Sequence, residues 1–538
     1  AHPADGALEL DASPSAPAAF APAPLVEHAW TTSPLQSPAL PRRVLGEGAP
    51  RLRVSPAALG PGAHVVRVRV RDARGRVDEG GVVVEVEGEV ARVLDREGER
   101  RPWLEGAIVY GAVPPLYGTP PLAALRGALT DIAAVGATVV WLAPVFDAPL
   151  GDYGYAVTDY FRVRPDYGTT EDLRDLVTEA HRLGLRVVLD LVPNHTSALH
   201  RYFVEAQELG PRSHTFAFYE RTPEGAPTHY FDWVNLPNLD YDQPEVGRFM
   251  TAASTHWLRE VDADGFRVDA AWGIQRRTPA FYRSWVAEVS RVRPGALLLA
   301  EASARDPFWQ QHGFDAAYDW TEELGRPAWE HVFDVPDEVP ERLHEALTRG
   351  GTPSSRVVRF LDNNDTGPRF VTRHGVPMTK VATAALFTVP GIPALFTGSE
   401  RGAAYEPYVN RSPLVDRGPS ELPAWHAKLA ALRRSLPSLK SGSFERAAAR
   451  GAPGVYAFLR QRGASAALVV LHFGGASVQV EIDVPGALGR AALELEDALG
   501  GGTARIERGR VRLRLEPWSA RVLVSGPPGA PRQVELAR

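Results

Sequence analysis

Asp264-Gly-Phe-Arg-Val-Asp-Ala-Ala-Trp-Gly273 decides the fold. Residues 265–269 read as a short buried strand that ends on a carboxylate. Arg267 and Asp269 are two apart, so on a strand they share one face. A guanidinium beside a carboxylate favours its ionised form. An ionised carboxylate in an apolar strand costs too much to be incidental packing. A structural ion pair under a loop would account for one such strand. The decisive point is that other apolar runs in the chain end on acids too.

Working outward, short apolar runs alternate with amphipathic segments. Ala107–Val113 precedes a helix over Leu122–Val135. Thr138–Ala143 precedes a helix over Thr170–Leu183. Then come Arg186–Asp190, Gly265–Asp269, Ala296–Glu301, a weaker run Phe314–Tyr318, Arg356–Asp362 and Ala394–Thr397. Apolar strands alternating with helices predict a parallel sheet. Eight of them predict a (β/α)8 TIM barrel over residues 103–437. Residues 196–242, after the third strand, lack the rhythm and read as an inserted subdomain. A helix over Pro423–Leu436 closes the barrel.

On the N-terminal side, residues 1–50 are rich in Pro and Ala and read as an extended arm. Val66, Val68 and Val70 then alternate with arginines. The turn Asp72–Gly75 and a second run, Val82–Val86, complete a hairpin. Residues 1–102 are thus an arm plus a small immunoglobulin- or PKD-like β module. Phe20 and Trp30 are its only aromatics before Trp103, so packing is favoured over sugar binding. Residues 438–538 carry the runs Val455–Leu459, Ala467–Phe473, Val478–Val484, Val511–Leu515 and Ala520–Val524. They read as an antiparallel β-sandwich, followed by a frayed tail after Gly526.

The net charge of -6 gives no support to a nucleic-acid partner. The chain has no Cys, which removes disulfides and thiolate metal sites. No apolar run reaches the length of a membrane span. The first residue is Ala1, as in a processed, exported chain or in one trimmed at its start, and the expected location is secreted or periplasmic.

In such barrels the reacting groups sit at the carboxyl ends of strands. Here Asp190, Asp269 and Glu301 end the third, fourth and fifth strands, and Asp365 follows the seventh. One strand-end acid is commonly a helix cap; four at one barrel mouth are not. Converging carboxylates suit acetal chemistry, with a nucleophile and a proton donor flanking the scissile bond. A metal site is the alternative, but His195 is the only imidazole in these motifs and no His-x-x-x-His pair occurs.

These motifs resemble the α-amylase superfamily, glycoside hydrolase family 13, over roughly residues 103–525. Asp190-Leu-Val-Pro-Asn-His195, Leu236-Pro-Asn-Leu-Asp240, Gly265–Asp269, Ala300-Glu301 and Phe360–Asp365 match five signature regions in order. Gly154–Tyr160 matches the family's loop after the second strand. The resemblance implies retaining hydrolysis of α-1,4-glucosidic bonds in starch and malto-oligosaccharides. Asp269 would be the nucleophile, Glu301 the acid/base and Asp365 the third carboxylate, on the sugar hydroxyls. Arg267 would orient Asp269, Asp190 and His195 would line the reacting subsite, and Tyr155 would stack on the sugar. Asn194, Asp240 and the carbonyl of Gly273 match positions that hold Ca²⁺ in the family.

Two departures stand out. Asn364 replaces the usual His of Asn-His-Asp, and Trp272-Gly273 replaces a common Lys-His. Trp272 is expected to face the acceptor side as a stacking platform. The nearest alternatives are a maltogenic amylase, neopullulanase or cyclomaltodextrinase, a transglycosylase or isomerising synthase of the same family, and, from another class, a non-catalytic glycan-binding relative.

Overall fold

The computed structural model describes residues 6–16, 22–35, 42–95, 98, 104–349, 355–410, 412–414, 420–485, 488 and 494–525. Phe20, Trp103 and the tail after Gly526 lie outside them.

The eight strand candidates are the eight strands of the barrel. They are β1 (Val109–Ala112), β2 (Val139–Leu142), β3 (Arg186–Leu191), β4 (Gly265–Val268), β5 (Leu297–Ser303), β6 (Ala316–Tyr318), β7 (Val357–Phe360) and β8 (Ile392–Phe396). The barrel closes in the order β3-β4-β5-β6-β7-β8-β1-β2. Every residue of β3 and β4 is buried. Burial on both faces is why these strands read as unbroken apolar runs rather than alternating ones. β4 lies parallel to β3 with Asp190 opposite Arg267, and parallel to β5 with Val268 opposite Ala300.

The chain divides into two compact units. The first comprises Ala1–Leu104, Trp141–Ala300 and Gln311–Phe314; the second comprises Glu105–Val140, Glu301–Gln310 and Asp315–Arg538.

In the first unit the N-terminal residues differ from the extended arm expected for 1–50. Leu8–Asp11, Leu25–Pro34 and Arg43–Glu47 are strands. Leu25–Pro34 pairs along the predicted hairpin, Gly62–Asp72 with Val77–Glu87, within a five-stranded antiparallel sheet. Trp30 is buried in the sheet's core, and its indole N–H donates to the Ala49 carbonyl at 2.9 Å. A buried ring cannot stack on sugar from the surface. The module is also tied to barrel helices: Asp78 pairs with Arg259 of helix Pro244–Glu260 and with Arg291 of helix Ala280–Val292. Residues of the insert form a helix, Arg201–Leu209, and irregular turns.

In the second unit, nine C-terminal strands form one continuous antiparallel order. Leu468 and Val470 from one part and Val480, Ile482 and Val511 from the other share a single core, so the sheet folds onto itself as a sandwich. Sequence reading missed Glu494–Asp497 and Thr503–Glu507, whose alternate residues are charged and exposed.

Candidate active site

In the first unit, Asp269 is the first residue past β4. Its N–H donates to the Leu191 carbonyl at 2.7 Å, which ties it to the end of β3. Ala270 then takes φ 43° and ψ 35° and turns the chain directly into the helix Ala271–Arg277. A left-handed alanine is uncommon, and such residues cluster where a site imposes them. Asp269 is left 7% exposed.

Arg267 Nη1 donates to Asp269 Oδ1 at 2.8 Å and to Asp190 Oδ1 at 2.9 Å. Asp190 also accepts from Trp141 Nε1 at 3.0 Å and from the Tyr155 hydroxyl at 3.3 Å. The side chains of Arg267 and Asp190 are fully buried. A guanidinium this deep requires a buried counter-ion, which Asp190 supplies.

Asp190 and His195, expected to line the reacting subsite, are both buried, at 0% and 1% exposure. Asp190 is wrapped by its donors Arg267, Trp141 and Tyr155. His195 Nε2 faces the Tyr155 carbonyl at 3.2 Å, which can only accept, so Nε2 carries the proton. Nδ1 then accepts from Asn194 Nδ2 at 3.2 Å. Burial pushes the imidazole down to about 3, so it is neutral at physiological pH. Tyr155 itself is half-buried.

Trp272 is half-buried on the short helix, with ring centres 5.6 Å from Phe231 and 5.9 Å from Tyr230. Tyr230 in turn lies 4.9 Å from the His195 ring. Phe231 and Trp233 are 57% and 56% exposed, and Phe231 holds a φ of 50°. The insert and the nucleophile helix thus present one continuous aromatic surface. Sequence reading found only Trp272. The available signal was Tyr230-Phe-Asp-Trp-Val234, unusually aromatic for a polar insert.

The three candidate calcium ligands do not fit a cation cage. Asn194 Oδ1 accepts from Arg277 Nη2 at 2.9 Å, so a positive charge already occupies that oxygen. Asp240 Oδ1 accepts the N–H of Asp242 at 3.0 Å. A Cβ on Gly273 would lie 2.2 Å from Asn194 Oδ1, so close approach of backbone to amide accounts for the glycine. Arg277 also reaches Glu220 in the insert, at 3.5 Å. The guanidinium thereby links the insert, the end of β3 and the short helix. EDTA is expected to leave the thermal midpoint unchanged, whereas Arg277→Ala lowers it by roughly 2 °C, as for one lost charge-assisted bond. A midpoint that falls with EDTA and recovers with Ca²⁺ overturns this.

In the second unit, Glu301 lies within β5 and is 7% exposed. Asp365 sits in the loop after β7 and is exposed. Its N–H donates to Asn363 Oδ1 at 2.8 Å, and the Asn363 N–H donates to Thr366 Oγ1 at 3.0 Å. Buried Arg369 threads the loop, donating to the carbonyls of Asn363 at 2.9 Å and Gly367 at 2.7 Å. Asn364 Nδ2 donates to the Tyr408 hydroxyl, a partner that sequence reading gave no sign of. Beside Asp365 a cavity of about 470 Å³ is lined by Trp329, Glu330, His331, Phe360 and Arg373.

Strand-end carboxylates on a closed (β/α)8 barrel are an arrangement suited to acetal chemistry. Residues 122–283 match the family model described as the α-amylase catalytic domain. α-Amylase MalA of Haloarcula japonica is 29% identical over 440 residues, which cover 79% of this chain and 63% of that protein. The chain therefore matches less than two thirds of that relative's length. Neopullulanase 2 of Thermoactinomyces vulgaris is 28% identical over 422 residues, 74% of this chain and 69% of that one. A solved cyclomaltodextrinase shares the fold, with TM-score 0.68 and 18% identity over 93% of this chain and 94% of its own.

Proposed function

We propose that the chain is a retaining hydrolase of α-1,4-glucosidic bonds in starch and malto-oligosaccharides. The observation that carries this is the Arg267-held Asp269 at the end of β4. It stands one residue past Val268, whose partner on β5 is Ala300, the residue before Glu301. Retention is what the resemblance implies, and a retaining pair needs carboxyls about 5–5.5 Å apart.

In this reading Asp269 attacks the anomeric carbon and forms a glycosyl-enzyme. Glu301 protonates the leaving oxygen, then takes the proton of the incoming water. Asp365 accepts hydrogen bonds from the sugar's hydroxyls, and Tyr155 offers its ring to the sugar. His195 and Asp190 support the site from beneath. No step calls on calcium. Timed chromatography of products from starch, maltotriose, cyclodextrin and pullulan tests the proposal. Absence of turnover on all four would instead support the non-catalytic, glycan-binding alternative.

A second reading, a cyclomaltodextrinase or neopullulanase, draws support from the solved cyclomaltodextrinase. It matches 93% of the chain, a share the barrel and C-terminal residues alone do not reach. Cyclodextrin cleaved faster than starch selects it.

Transfer to an acceptor sugar is the finer question, and the aromatic surface bears on it. A flat apolar face suits a pyranose, and an indole N–H can reach a hydroxyl. With maltotriose, Trp272→Ala is expected to lower the ratio of transfer to hydrolysis roughly 3- to 10-fold, the scale of one aromatic contact. Starch hydrolysis should be largely kept. An unchanged product ratio returns Trp272 to a packing role.

A further inference from the structure

We propose that Tyr408 is a positioning residue for Asp365 and that it acts together with Asn364. The inference rests on the role proposed for Asp365.

Asn364 Nδ2 donates to the Tyr408 hydroxyl at 2.7 Å, and that hydroxyl donates to Asp365 Oδ1 at 3.1 Å. A phenol has one proton. Because its oxygen accepts from the amide, that proton is directed to the carboxylate. Donation into the phenol polarises its O–H, and a bond to an ionised acceptor is among the stronger kinds. Asp365 is exposed, so its carboxylate needs an external partner to hold one rotamer.

The backbone shows what this placement demands. Tyr408 holds a φ of 64°, a left-handed conformation that a bulky residue keeps only where its surroundings impose it. The turn is closed by the Asn410 N–H on the Glu406 carbonyl at 2.9 Å. Nearby Tyr405 anchors the segment, donating its hydroxyl to the Thr397 carbonyl at 2.6 Å. The Arg369 guanidinium lies 5.1 Å from the Tyr405 ring centre while its Nη2 holds the Asp365 loop. One buried cation therefore braces both partners of the contact.

The test is a double-mutant cycle on maltotriose with Tyr408→Phe, Asn364→Ala and the pair, alongside thermal midpoints. Each single change is expected to lower kcat/KM about 10-fold, mainly through kcat, and the pair to cost no more than the larger single. Midpoints should stay within about 2 °C of wild type. Overturning results are a Tyr408→Phe enzyme as active as wild type, a pair whose loss multiplies to about 100-fold, or losses that track the midpoint. If the wild type cleaves no malto-oligosaccharide, the functional reading fails separately. The same cycle read on maltotriose dissociation constants by calorimetry then decides the Tyr408 claim.

Discussion

Asp269→Asn is expected to lower starch turnover roughly 10⁶-fold, the scale seen when a covalent nucleophile is removed, and to leave a folded protein. The amide keeps the shape and one oxygen, so Arg267 retains an acceptor. It loses the charge and most of the nucleophilicity. Folding survives because Asp190, fully buried against the same guanidinium, remains as its counter-ion. Asp190→Asn is the instructive contrast. It takes the counter-ion from the buried end and should cost stability as well as rate, at the several-kcal/mol scale of a broken buried pair. Reducing-sugar release measured beside the thermal midpoint separates the two. Equal release from wild type and Asp269→Asn would remove the assignment.

The barrel was legible because fully buried parallel strands leave unbroken apolar runs, and in β3 and β4 the acid at or just past the end marks the carboxyl edge. β6 was the weak case for a physical reason: only Ala316–Tyr318 pairs, too few residues to show a period. The N-terminal strands were obscured by composition. Pro and Ala dominate residues 1–50, yet Leu25–Pro34 gains its partners from Gly62–Asp72, far along the chain. The carboxylate set was legible through its motifs and through the resemblance they carry.

What could not be read is of one kind. Arg277 on Asn194 joins residues 83 apart, and Tyr408 on Asp365 joins residues 43 apart. No local periodicity encodes such contacts. The left-handed Ala270 is similar, because alanine by itself argues for helix. Only the packing of the short helix after β4 forces the turn that aims Asp269. The donation of Arg277 to Asn194 Oδ1, at a candidate calcium position, falls in the same class. The motif residues Asn194, Asp240 and Gly273 are all present, and an arginine outside the motif changes what they can hold.

Glu301→Gln separates the two half-reactions. The amide cannot donate a proton to a glycosidic oxygen, so kcat/KM on starch is expected to fall roughly 10³-fold, within the range general acid catalysis supplies. α-Maltosyl fluoride needs no such proton. Its C1–F bond breaks with departure of fluoride while Asp269 Oδ bonds to C1, so this step should proceed at close to the wild-type rate. The second step requires a base to take the proton of water, and the substituted amide offers none. The variant should therefore release a burst of fluoride equal to the enzyme present and then stall. Mass spectrometry should find one maltosyl unit bound covalently to the chain. Asp269→Asn, treated identically, should give neither burst nor adduct. Slow, steady fluoride release from Glu301→Gln with no adduct would mean that water attacks directly, and retention through Asp269 would have to be abandoned.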